Sequence, residues 1–270
     1  PLFTALSYLL APLDVAANVL AYKSIAAVSS LVIVVVVWNA ARLRGFNPVK
    51  AAAIVGLNPV IVVFGVGGGH NDLLMLAILL TGIYVLLRQK EGTSGVLIVA
   101  AAAVKLSAGL LLPFAIARHG IGRDDVRSRR AFLAGVAAAG LVGGAFSFVM
   151  FGTGPLELVS ILRHIQAHGG VNSVPGLLLN VAGLARFSGV AGLLLDACFV
   201  ICLVWLVRRV WLGELDWITG AGWATVGLLL TAGLLLPWYV GWLIPLAALS
   251  ADRRLLATSI AMTGLGLTTL

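Results

Sequence analysis

From Gly95 to Arg130 the chain reads GVLIVAAAAVKLSAGLLLPFAIARHGIGRDDVRSRR. An apolar run of this length asks for lipid, and its backbone must then satisfy itself as helix. Two features complicate a single span. Lys105 stands in its middle, and Arg118, Arg123, Arg127, Arg129 and Arg130 follow it. If the preceding turn at Arg88 and Lys90 is cytoplasmic, one straight crossing carries all those arginines outside, against the positive-inside rule. The conflict disappears if residues 92–118 form two short helices that rise to Lys105 and return. Each limb of about 13 residues spans roughly 20 Å, less than the ~30 Å hydrocarbon core, so neighbouring protein or a thinned bilayer must shelter it.

The rest of the chain agrees with a membrane setting. Of 270 residues, 61% are hydrophobic and 10% charged, with a mean hydropathy of +1.09. A soluble domain is about half apolar and about a quarter charged, so this surplus cannot be hidden in a water-soluble core. Short alternating strands of the membrane-barrel kind are missing from the pattern. Further spans are expected over Tyr22–Trp38, Ala51–Val66, Leu73–Leu87, Ala131–Phe151, Gly189–Val207, Ile218–Leu236, Val240–Ser250 and Leu255–Leu270. The expected fold is all-α, a polytopic transmembrane helical bundle of about ten membrane segments forming one domain over residues 1–270, with no internal repeat.

With the hairpin in place, charge sorts cleanly. Arg42, Arg44, Lys50, Arg88, Lys90, the 118–130 arginines, Arg208, Arg209, Arg253 and Arg254 fall inside; only Lys23, Lys105, Arg163 and Arg186 fall elsewhere. The formal charge of +8 therefore reads as membrane orientation, and a nucleic-acid partner is not expected. Cys198 and Cys202, one turn apart in an apolar helix, read as small core residues; no metal site is expected. Asp196, in the same apolar helix, needs a partner or a proton.

The unusual polar residues gather on the outer side. Gly67-Gly68-Gly69-His70-Asn71-Asp72 is the sharpest segment. Its glycines allow a tight turn or close backbone approach, and Asn71 or Asp72 also suits as a cap for the helix starting at Leu73. Lys105 either snorkels to the interface or serves as a fixed cation for a phosphate. Arg163, His164 and His168 fit an outer amphipathic helix or a ligand-facing loop. Trp238 and Tyr239, after Pro237, fit an interfacial belt or a sugar-stacking platform. Polar groups in such surroundings are costly and tend to be functional.

Asn58-Pro59, Gly67 to Met75, Ala103-Val104-Lys105-Leu106 and Leu236-Pro237-Trp238-Tyr239 occur in that order. This arrangement resembles the actinobacterial polyprenol-phosphate-mannose-dependent α-1,6-mannosyltransferases of the C-type glycosyltransferase superfamily, across nearly the whole chain. The resemblance implies transfer of a mannosyl unit from a polyprenyl-phosphate sugar donor to a cell-envelope glycolipid or glycan acceptor on the outer side of the plasma membrane, without a cofactor. In that reading His70, Asn71, Asp72, Lys105, Arg163, His164, His168, Trp238 and Tyr239 bind or orient donor or acceptor. It also implies a catalytic acidic residue in an external loop before Tyr22. Pro1-Leu2-Phe3 looks like the tail of a Tyr-Gly-Pro-Leu stretch in the family, and Asp14 does not match the catalytic position. The chain thus reads as a piece of a longer protein whose general base lies upstream of Pro1, and the piece alone is expected to be inactive. The alternative is a polytopic lipid or solute transporter, for which a broken helix with a midplane Lys is also suited. An external acidic loop upstream discriminates in favour of the enzyme.

Overall fold

The computed structural model describes residues 9, 12, 14–121, 126–157, 176, 180–183 and 188–268, and all regular structure among them is helical. In chain order the α-helices are α1 (Val15–Leu43), α2 (Pro48–Gly56), α3 (Asp72–Leu87), α4 (Glu91–Val104), α5 (Leu112–Ala117), α6 (Val126–Phe151), α7 (Ser188–Trp211), α8 (Trp217–Thr231), α9 (Leu243–Ala248) and α10 (Arg253–Thr268). A π-helical stretch, Val60–Val66, follows α2, and 3-10 turns at Leu106–Leu111 and Pro237–Trp242 lead into α5 and α9.

Three of these helices are long and apolar enough to cross a membrane: Val15–Leu43, Val126–Phe151 and Gly189–Trp211. A fourth crossing arises if α2 and Val60–Val66, bent by 49°, count as one. The expectation of about ten membrane segments is thus met only in part, because several apolar runs are interrupted. Pro59 has no N–H to give, and Asn58 Oδ1 takes the Val60 N–H at 3.0 Å, so the 51–66 run bends. The run ending at Leu236 stops as helix at Thr231, and the one after Val240 is shared between a 3-10 turn and six residues of α9. The long helices present apolar side chains outward, such as Leu141 at 76% and Leu193 at 72% exposure, which suits lipid. Cys198 and Cys202 share that exposed face of α7, so their reading as core residues is corrected. Asp14 accepts from the Ala17 N–H at 2.7 Å and caps α1.

Residues 91–118 form the expected hairpin. Lys105 leaves the helix with φ −152° and ψ 123°, in extended backbone between α4 and the 3-10 turn. The return limb brings Arg118 back to Glu91 at the start of α4; the two side chains form an ion pair, and His119 Nε2 lies 3.5 Å from the same carboxylate. Glu91 and His119 are buried. The open end of the hairpin is thereby closed by charge and its apex carries Lys105.

Between lipid-exposed helices there is little hydrophobic gain in association, so close backbone packing takes over. Helix α4 lies between α3 and α6. A Cβ at Gly82 would meet Ile98 Cγ1 at 3.1 Å, and one at Gly95 would meet the Phe132 carbonyl oxygen at 2.5 Å. At Gly135 a Cβ would collide with the Gly92 backbone. Ser94 Oγ donates to the Gly82 carbonyl at 2.9 Å across the α3–α4 contact. Gly135→Val is expected to lower stability by about 1–3 kcal/mol through overpacking against backbone that cannot yield. The check is the thermal midpoint of the detergent-solubilised protein; an unchanged midpoint would mean that the helices are free to move apart.

Other links tie the arginine-rich ends together. Arg44 binds Asp216 through both terminal nitrogens, at 3.2 and 2.9 Å, joining the end of α1 to the cap of α8. Trp223 Nε1 donates to Asp252 at 2.8 Å, and Ile121 N donates to the Trp211 carbonyl at 3.0 Å.

Candidate functional site

The opposite end of the bundle carries the site. Helix α3 runs from Asp72 toward Arg88, and α4 runs from Glu91 toward Lys105, so Asp72 and Lys105 meet at the end away from the basic turns. Lys105 Nζ lies 2.8 Å from Asp72 Oδ1. Trp242 Nε1 donates to the same oxygen at 2.6 Å. The lysine ammonium also sits over the Tyr239 ring at 4.4 Å and the Trp242 ring at 4.9 Å. Those two rings stack with centroids 4.4 Å apart. His70 stacks on Trp238 at 3.9 Å with 19° between the planes.

The local sequence explains each placement. Gly69 adopts φ +65°, a left-handed turn that an L side chain resists, and it aims the chain into α3. Gly68 leaves room for the His70 imidazole, since a Cβ there would lie 2.7 Å from its Cδ2 and Nε2. Asn71 occupies the cap position of α3 but makes no capping hydrogen bond, while Asp72 in the first turn meets the positive end of the helix dipole. Pro237 starts the 3-10 turn that places Trp238, Tyr239 and Trp242 along one short segment.

Asp72 is only 2% exposed, whereas the Lys105 side chain keeps 23% of its surface. The carboxylate therefore acts on Lys105 from behind, fixing the ammonium, and the cation is the member of the pair open to a ligand. An ammonium has three donors, and Asp72 takes one. The counter-ion that a sheltered Lys requires is thus internal, rather than supplied by a ligand phosphate alone. Tyr239 lies outside the candidate spans; burial first, then the Asp72 carboxylate, raise its phenol above its ordinary pKa, so the ring stays neutral at physiological pH.

Beside this cluster, Leu106, Leu110, Phe199, Leu229, Tyr239 and Trp242 help to line an apolar cavity of about 340 Å³. Among the described residues no group of His, Cys, Asp and Glu is arranged to hold a metal.

Five of the residues singled out in the sequence thus come together: His70 with Trp238, and Asp72 and Lys105 with Tyr239. Asn71 is adjacent in the chain. Arg163, His164 and His168 lie outside the described residues. Trp242 was missed. Its signal was its place three residues after Tyr239, one 3-10 turn on, which puts two amphipathic rings on one side of the segment.

Comparison with known proteins supplies the family context. Residues 1–119, which include the Gly67–Asp72 turn and Lys105, match the family described as "Alpha-(1->6)-mannopyranosyltransferase, N-terminal domain". The chain is 28% identical over 246 residues to alpha-(1->6)-mannopyranosyltransferase A of Mycobacterium tuberculosis, covering 83% of this chain and 47% of that protein. It is 30% identical over 106 residues to the protein of the same name in Corynebacterium glutamicum, covering 38% of this chain and 21% of that one. The chain thus spans about half the length of the mycobacterial relative. No solved structure matches it. The chain is thus similar to the alpha-(1->6)-mannopyranosyltransferases A of these two organisms, in line with the resemblance that its motifs carry.

Proposed function

We propose that this chain is part of the membrane bundle of a glycosyltransferase that moves a mannosyl unit from a polyprenyl-phosphate sugar to a glycolipid or glycan acceptor at the outer face of the plasma membrane. The observation that carries this reading is the Lys105 ammonium, held by Asp72 at the apex of a broken hairpin and opening beside an apolar cavity. A fixed cation next to an apolar cavity matches a ligand with a phosphate at one end and a prenyl chain at the other. The relatives' names supply the mannosyl group and the α-(1→6) linkage.

In the reaction, the acceptor hydroxyl oxygen attacks the anomeric carbon, the bond from that carbon to the phosphate oxygen breaks, and polyprenyl phosphate leaves. The acceptor proton passes to a carboxylate that acts as general base. Lys105 stabilises the charge growing on the leaving phosphate, an interaction stronger in the transition state than in the ground state. Trp238 and His70 offer a stacked face for a sugar ring, and Asp72 positions Lys105. The decisive experiment is mannosyl transfer from the lipid donor by the full-length protein with and without the Lys105 charge; loss of transfer is expected, and retained transfer would remove the assignment.

The orientation belongs to the same proposal, with the shorter apolar helices completing the bundle around the long spans. With Cys198 and Cys202 replaced by Ala, a Cys introduced at Thr153 should react with an impermeant maleimide in intact cells, and one at Ser128 should not. Ser128 lies in the first turn of α6 and Thr153 lies two residues past its other end. The reverse pattern would invert the whole topology and place the Lys105 cluster inside.

A further inference from the structure

A groove separate from the Lys105 cluster runs from the arginine-rich end toward the middle of the bundle, between α2, α9 and α10. Near the turns it opens as a cavity of about 370 Å³ with Asn47, Lys50, Ser250 and Arg253 in its wall. Deeper along the same helices a hollow of about 250 Å³ is lined by Leu57, Ile244, Ile260 and Thr263. Ile54 lines both, so the two hollows adjoin along α2. One end carries cationic side chains, and the other is lined mainly by apolar ones, with Asn58, Ser259 and Thr263 among them.

The cations at the mouth are uncommitted. Lys50 and Arg253 are exposed, and neither forms an ion pair with the described residues. The other polar groups there are engaged. Asn47 Oδ1 accepts the Lys50 N–H at 3.0 Å, and Ser250 Oγ lies 2.7 Å from Thr219 Oγ1. Asp252 accepts from Trp223 Nε1 and from the Arg254 N–H, each at 2.8 Å. Its carboxyl is held below its ordinary pKa: burial works the other way, and the indole, the Arg254 and Leu255 amides and the Arg254 charge outweigh it. The acid at the mouth is thus already matched, which leaves Lys50 and Arg253 for an outside anion.

The dimensions fit a lipid. From Arg253 to Thr263 the helix rises about 15 Å at ~1.5 Å per residue, half of a ~30 Å hydrocarbon core. The groove is therefore about one leaflet deep, with its charge at the leaflet surface. We propose that it binds an anionic phospholipid of the leaflet on the arginine-rich side, the phosphate between Lys50 and Arg253 and one acyl chain along Ile54 and Ile260. Basic pockets between membrane helices are suited to such headgroups. This inference does not rest on the transfer reaction.

The test uses the full-length protein in a neutral, delipidated detergent, with the thermal midpoint followed during titration. Phosphatidylglycerol is expected to raise the midpoint, phosphatidylcholine to do so far less, and tail-less glycerol phosphate not at all. The double variant Lys50→Gln/Arg253→Gln should need roughly tenfold more phosphatidylglycerol for the same rise. Both side chains are exposed, so folding is not at stake. Ile260→Trp, also at an exposed position, fills the deeper hollow and should blunt the response while keeping the charges. Equal stabilisation by phosphatidylcholine, an unchanged titration in the double variant, or a full response to glycerol phosphate would each overturn the proposal.

Discussion

Lys105→Met in the full-length protein is expected to lower mannosyl transfer from the lipid donor at least about tenfold, the equivalent of roughly 1.4 kcal/mol of transition-state stabilisation. Met keeps the unbranched stem and removes the charge. The carboxylate of Asp72 loses its cation but retains the Trp242 indole at 2.6 Å, so the cluster does not lose every contact. A charge-assisted hydrogen bond to phosphate contributes about 1.5–3 kcal/mol, and its loss should appear in the turnover step because the leaving group gains charge there. Lys105→Arg keeps the charge and is expected to recover part of the activity. Asp72→Asn should impair transfer by loosening the ammonium, and His70→Ala by removing one face of the Trp238 stack. The measurement is incorporation of labelled mannose from polyprenyl-phosphate mannose, normalised to the amount of folded protein. Full transfer by Lys105→Met at wild-type protein levels would rule out the phosphate role.

Glu91→Ala should produce the largest loss of stability, about 3 kcal/mol, the range for breaking a buried ion pair from one side. Glu91 is 4% exposed and its partners Arg118 and His119 come from the far limb of the hairpin. Removing the carboxylate leaves two cationic or polar groups crowded where one anion held them. Glu91→Gln keeps the volume and part of the hydrogen bonding, so it should fall between wild type and Ala. Thermal unfolding of the solubilised variants reads this directly. A Glu91→Ala protein as stable as wild type would show that the hairpin is closed by packing alone.

How much of this was legible in the sequence varies by residue. The hairpin was, because Lys105 and the arginines from Arg118 onward cannot be reconciled with one crossing under a charge rule that acts over short loops. The break itself falls at Lys105, as that argument requires. The pairing of Asp72 with Lys105 was not legible. They are 33 residues apart, and nothing in the pattern tells an anion supplied by the protein from one supplied by a ligand. Trp242 escaped because a Trp in an apolar run reads as interface or core until a buried carboxylate is found beside its N–H. The expectation of about ten spans is met only in part, for a local reason: hydropathy sees Ala51 to Val66 as one run, but Pro59 removes a backbone donor and the helix bends by 49°. Cys198 and Cys202 were placed in a core because they are small; in a bilayer the outside of a helix is equally apolar, so the inside-outside rule of soluble proteins loses its force.

The Asp72–Lys105 pair also bears on how the protein is made. A charged residue at the centre of a single inserting helix costs about 2.5–3.5 kcal/mol. During synthesis Asp72 emerges 33 residues ahead of Lys105. If α3 moved into lipid alone it would carry an uncompensated carboxylate, and the Ala-rich limb behind it would later carry an uncompensated ammonium. Entering as one unit, α3 and the hairpin deliver a neutral pair. Biogenesis thus favours a translocation machinery that holds these helices together until Lys105 has been synthesised, so the ion pair at the hairpin apex also sets the order of assembly.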